Sequence, residues 1–229
     1  MIHSQASFHR PMAELTDRLV KIMPSKQLDT LFFVNSGAEA VENAIKVARY
    51  ATGKPNIIVV QGGYHGRSVG TMSLTTSDTV YRSRFGPLMP GVFVTPFPYH
   101  LHMPWCKTPE EASDHCIDEL RLLLKQQTAP VETAGVILEP VLGEGGYVPP
   151  PLDFLKKLKA VCQEHQMLLI ADEVQTGFGR TGKYFAVEHF DVEPDILVMA
   201  KGIASGMPLS AISANSSVLN KLPLGTIVR

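Results

Sequence analysis

The chain has 229 residues, 21 basic against 22 acidic side chains, and 45% hydrophobic residues, enough apolar material for a full core in one large domain. With no basic stripe and no apolar run near ~18 residues, neither nucleic acid nor a membrane is expected as a partner, and small molecules are. Cys106, Cys116 and Cys162 are scattered and odd in number, which argues against a disulfide framework or a structural zinc site and for a reducing compartment.

Residues 1–10 lack the apolar core of about 7–15 residues that a secretion signal carries, so export is not expected. Cytoplasm or mitochondrial matrix is the expected location. Pro11 opens an amphipathic helix with Met12, Leu15, Leu19 and Ile22 on one stripe, stopped by Pro24. Leu31 to Val34 reads as a short strand, and Asn35-Ser-Gly-Ala-Glu turns it into a helix over Ala38 to Ala51 with Val41, Ala44, Ile45 and Ala48 inward. Ser36 and Glu39 are spaced as a capping box. The same small-residue turn leaves amide N–H groups and the positive dipole end of the helix for a phosphate, so Ser36, Gly37 and Ala38 are candidate anion ligands.

Asn56 to Val60 is a buried strand, followed by the loop Gln61-Gly-Gly-Tyr-His-Gly-Arg67. Tyr64 and His65 are candidates to stack on a flat ring, and Arg67 offers a fork to a carboxylate. Residues 86–109 read as a long proline-rich connection around a strand, Val92 to Thr95. The pair His100 and His102 with Cys106 has no further ligand at a familiar metal spacing, so no metal is expected. Glu110 to Gln126 is an amphipathic helix with Ile117, Leu120 and Leu124 inward. Thr133 to Glu139 is a strand ending in an acid, and glycines flank Glu144 just beyond it, where backbone can approach a ligand. A helix over Leu152 to His165 leads to the next strand. Strands alternate with helices throughout, which implies a mostly parallel α/β sheet.

Two strand ends carry the chemistry. The run Met167 to Ala171 ends in Asp172 and Glu173, and the run Ile196 to Ala200 ends in Lys201. A carboxylate and an amine at neighbouring carboxyl ends of buried strands suit pyridoxal phosphate: the amine condenses with the cofactor aldehyde as a Schiff base, and the carboxylate pairs with the pyridinium nitrogen. The other reading is a structural ion pair at the sheet edge. Beyond Lys201 come Gly202, Gly206, Pro208 and the apolar Leu209 to Ala214.

Together Ser36-Gly-Ala-Glu-Ala-Val-Glu-Asn-Ala-Ile-Lys46, Gly63-Tyr-His-Gly-Arg67, Glu139-Pro-Val-Leu-Gly-Glu-Gly-Gly146, Ala171-Asp-Glu-Val-Gln-Thr-Gly-Phe-Gly-Arg-Thr-Gly182 and Ala200-Lys-Gly202 resemble the class III pyridoxal-phosphate aminotransferases, which include 4-aminobutyrate, ornithine and acetylornithine aminotransferases. The resemblance implies a fold-type-I PLP-dependent transferase large domain, an α/β unit whose mostly parallel sheet is flanked by helices. It implies a phosphate cradle of Ser36, Gly37 and Ala38, a stacking ring at Tyr64 beside His65, Val174 on the opposite cofactor face, and Gln175 at the phenolic oxygen. Lys201 is implied as the Schiff-base lysine and Asp172 as the partner of the ring nitrogen. Glu144 resembles an acid that pairs with a substrate-gating arginine in relatives, and Arg67 the position that binds a distal carboxylate.

The activity so implied is transfer of an amino group from an ω-amino or related amino acid to a keto acid by a ping-pong route, in a homodimer. A cofactor-binding or dimerising module without activity, and an aminomutase or decarboxylase on the same fold, are the alternatives. Leu142 stands where the family usually has glutamine. The family also has a segment before Met1 and, after Arg229, a small domain with a substrate-binding arginine, so residues 1–229 read as an incomplete large domain. A phosphate-contacting threonine donated across the dimer is expected beyond the end, Thr226 coming slightly early for it.

Overall fold

Seven strands make one sheet in the computed structural model, which describes residues 9–223 and 226. The strands are β1 (Thr30–Val34), β2 (Asn56–Val60), β3 (Val92–Thr95), β4 (Thr133–Leu138), β5 (Leu168–Asp172), β6 (Ile196–Met199) and β7 (Ser210–Ala214). Around them lie α1 (Arg10–Ile22), α2 (Gly37–Thr52), α3 (Val69–Leu74), α4 (Pro109–Gln126), α5 (Phe154–Glu164) and α6 (Ser216–Leu219). The stretch scanned above for leader character falls, up to residue 8, outside the described residues. No helix among those described is long and apolar enough to cross a membrane.

Across the sheet the order is β1-β7-β6-β5-β4-β2-β3. From β6 to β3 all neighbours pair in parallel, while β7 is antiparallel to both β6 and β1. Every strand but β7 therefore delivers its carboxyl end to one edge. The reversal of β7 is not legible in its apolar run; it follows from the connection, since Ala200 to Leu209 is shorter than the dozen or so residues a parallel crossover needs.

Strand residues alternate between two cores, which is why the runs are apolar without interruption. Ile58, Val60, Val136, Leu138, Leu169, Leu197 and Met199 pack with α4 and α5 against one face. Ile57, Val59, Ile137, Ile170, Ile196, Val198 and Ile212 meet Val41, Ala44, Ile45 and Ala48 of α2 on the other. Each such valine, leucine, isoleucine or methionine contributes roughly 1.5–3 kcal/mol by leaving water. The helices are placed by their ends. Ser36 Oγ accepts the Glu39 N–H at 3.2 Å, and the chain leaves α2 at Gly53, whose left-handed φ of 71° lets its N–H return to the Arg49 carbonyl. The Glu39 carboxylate reaches back one residue further than a capping box requires, accepting the Asn35 N–H at 2.7 Å. Thr108 caps α4 in the same manner, with Pro109 at its first position.

Candidate active site

At the carboxyl edge the turns after β1, β2, β4, β5 and β6 surround a cavity of about 630 Å³. Each candidate from the sequence lines it: Ser36, Gly37 and Ala38 from the start of α2; Tyr64, His65 and Arg67 after β2; Glu144 after β4; Asp172, Val174 and Gln175 at the end of β5; Lys201 after β6. Ligands in open α/β sheets collect at this edge.

Asp172 forms the buried floor, with 2% of its surface exposed. Its Oδ2 lies 2.7 Å from His65 Nδ1, and its Oδ1 accepts the Val174 N–H at 3.1 Å. An ionised carboxylate oxygen only accepts, so toward such an Asp172 it is Nδ1 that donates. His65 Nε2 is also buried and has no partner among the described residues. Register puts Asp172 opposite Val198 of β6, which brings the Lys201 turn alongside. Lys201 Nζ donates to the side-chain oxygen of Gln175. Its φ of 41° is left-handed, a conformation that costs a non-glycine residue on the order of 1 kcal/mol or more and tends to persist at functional sites.

The other wall is the start of α2. The first-turn amides of Gly37 and Ala38 have no acceptor within the helix and face the cavity with the positive dipole end. Gly37 fits closely there: a Cβ would sit 3.1 Å from Val174 Cγ1 and press on the Val174 wall. Ser210, the first residue of β7, steadies the turn by donating its hydroxyl to the Ser36 carbonyl at 2.7 Å.

Two groups went unassigned or undecided in the sequence. Glu139 lines the cavity, 4% exposed, and accepts the N–H groups of Tyr64 at 2.6 Å and Gly143 at 2.9 Å, tying the Tyr64 loop to the turn after β4. Burial pushes its carboxyl up to about 7, with His65 pulling it down and Asp172 pushing it up. The signal was present: β4, like β5, is an apolar run ending in an acid. Tyr81 gave no signal, because it sits in an isolated 3-10 turn. Its ring meets Tyr64 edge-on at 4.9 Å, and its hydroxyl donates to Glu144 Oε2 at 3.2 Å, so the exposed Glu144 is held at the rim. The Glu144 charge raises the Tyr81 phenol above its usual range. Arg67 stands exposed at the same rim.

Compared with known proteins, the chain matches the aminotransferase class-III family over residues 1–227. It is 40% identical over 214 residues to a probable 4-aminobutyrate aminotransferase of Bacillus subtilis (strain 168), covering 93% of this chain and 49% of that protein. To a 5-aminovalerate aminotransferase of Pseudomonas putida it is 39% identical over 221 residues, 96% of this chain and 50% of that one. An amine transaminase from an uncultivated Pseudomonas species, solved in its PLP-bound form, has a TM-score of 0.90 at 34% identity, covering 96% of this chain and 51% of that chain. The chain thus spans about half the length of these relatives. With a family match running from residue 1 to residue 227 and the same fold at a TM-score of 0.90, this chain belongs to the class-III aminotransferases.

Proposed function

We propose that this chain carries the pyridoxal-phosphate site of an aminotransferase that moves an amino group from an ω-amino acid of the 4-aminobutyrate or 5-aminovalerate kind to a keto acid. The observation that carries the reading is one cavity holding both a buried carboxylate, Asp172, and an amine, Lys201, at the ends of adjacent parallel strands. The residues fit the cofactor: first-turn amides for a phosphate, a carboxylate floor for a ring nitrogen, an amine for an aldehyde, and an aromatic wall. When bound, pyridoxal phosphate supplies the reactive carbonyl carbon and an electron sink.

The protein groups divide the remaining work. Gly37 and Ala38 N–H groups orient the anionic end, and Tyr64 and Val174 confine a flat ring between aromatic and branched walls. Asp172, held by His65 and the Val174 N–H, keeps negative charge fixed where a ring N–H needs it. Lys201 Nζ would supply the amine that holds the cofactor's carbonyl carbon and, once freed, a base placed to take the proton from the substrate carbon bearing the amino group. Gln175 holds Nζ beforehand. Arg67 at the rim offers two N–H groups to a distal carboxylate, which favours ω-amino acids over simple amines. Exposed Val69, Val80 and Phe85 beside Arg67 and Tyr81 support a second copy docking near the mouth, as a homodimer.

The test is to add pyridoxal phosphate, reduce with borohydride, and map the labelled peptide. The pyridoxyl group belongs on Lys201; label on Lys183 or Lys221 instead would overturn the assignment. A panel of ω-amino acids with and without a keto acid then reads the activity, because turnover independent of keto acid would point to an isomerase on the same fold.

A further inference from the structure

Glu173 follows Asp172 in the chain, yet its side chain turns away from the cavity and is wholly buried. It accepts the Thr176 hydroxyl, the Ala186 N–H at 3.0 Å and the Val187 N–H at 2.9 Å. One carboxylate thereby joins the two ends of the segment 173–187. Further links close the segment on itself: the Phe178 N–H meets the Tyr184 carbonyl at 2.7 Å, and the rings of Phe178 and Phe185 lie 5.5 Å apart.

This closed segment touches the Lys201 turn twice. Gln175 Oε1 accepts from Lys201 Nζ, and Phe178 packs so closely on Gly202 that a Cβ there would come within 2.9 Å of Phe178 Cβ. Asp172, by contrast, is placed by the end of β5 and by His65, and takes from the segment only the Val174 N–H at its very start. A buried carboxylate is an expensive way to close a turn, since a hydroxyl or amide would avoid desolvating a charge. What it offers is two strong acceptor oxygens, three donors gathered at once, and therefore a stiff base for the loop.

We propose that Glu173 is a positioning residue for the site: by clasping Thr176, Ala186 and Val187 it holds Val174 and Gln175 against the cavity and Gln175 against Lys201. Its consequence for the cofactor rests on the function proposed above, whereas the clasp itself does not. The test compares the parent chain with Glu173→Gln, which keeps the size, Thr176→Val, which removes one donor, and Leu120→Ala, which weakens the core at α4. Amide hydrogen exchange, pyridoxal phosphate affinity, and the pH midpoint of the bound cofactor's absorbance are measured for each.

Measured above about pH 8, where Glu173 is ionised although burial pushes its carboxyl up to about 7, the Ala186 and Val187 amides of Glu173→Gln should exchange about tenfold faster and the cofactor dissociation constant should rise about tenfold, as expected for loss of hydrogen bonds to a charged acceptor. The absorbance midpoint should move by about half a pH unit or more, because Gln175 is displaced from the atoms it bonds. Thr176→Val should change all three in the same direction and less, and carries the comparison if Glu173→Gln does not fold. Leu120→Ala should lower stability without moving the midpoint. Unchanged exchange in Glu173→Gln overturns the clasp, and faster exchange with parental affinity and midpoint overturns the positioning role. A parent chain that binds no pyridoxal phosphate overturns the proposed function, and the positioning role falls with it.

Discussion

At Asp172 both carboxyl oxygens are engaged. One oxygen faces His65, the other accepts a backbone N–H, and the group is almost sealed from water. Asp172→Asn keeps the volume but removes the fixed charge and presents an NH2 to one of its two donors. Turnover should fall by about 10²-fold or more while borohydride still labels Lys201, because the amine is untouched. Equal turnover in the variant would sink the role proposed for Asp172. This pair was legible in the sequence because an acid or a lysine ending an apolar run is a local pattern. Tyr81 was not, since what places its hydroxyl on Glu144 is a contact between turns distant in sequence. Glu139 lay between these cases: its position after β4 was visible, and its partners, the Tyr64 and Gly143 amides, were not.

At the scale of elements, two close fits make separable predictions. Ser36→Ala removes the acceptor for the Glu39 N–H at the start of α2, which should cost about 1 kcal/mol of stability. Because that turn also presents the Gly37 and Ala38 amides, cofactor affinity should drop in the same variant, measured by titration of the bound absorbance. Gly135 in β4 faces the backbone of Leu168 in β5, and a Cβ would run into the Leu168 carbonyl. Gly135→Ala should therefore push the strand that ends in Asp172 away from β4 and cost roughly 3 kcal/mol or more, read as a lower urea midpoint. A midpoint within error of the parent would mean the ladder has slack. Helices α2, α4 and α5 were readable from periodicity, for they bury regular stripes, as was α1, although it buries only Leu19 of its stripe; the parallel strands were readable as uninterrupted apolar runs. The short α3 was not: its six residues carry no helical stripe, and it is held by a distant carboxylate, Glu42, which accepts the Thr71 N–H at 3.2 Å.

Over the whole molecule, burial at the carboxyl edge sets a pH dependence. Glu139 and Glu173 are both pushed up to about 7 from 4.5, chiefly by desolvation. The folded chain thus holds these two protons more tightly than the unfolded chain does. Their stabilising contribution is complete below about 4.5 and is lost as pH rises toward about 7. Each shift corresponds to on the order of 3 kcal/mol at full titration. Every other ionisable group is common to parent and variant, so the informative quantity is the difference between them. Glu139→Gln and Glu173→Gln each delete one titration, and both should flatten the fall of the urea midpoint between pH 5 and 7.5, whatever they do to stability at a single pH. A parent and a double variant with parallel pH profiles would show that these carboxyls ionise at ordinary pH in the folded chain. The buried charge at the sheet edge would then be met by stronger donors than the amides of Tyr64, Gly143, Ala186 and Val187.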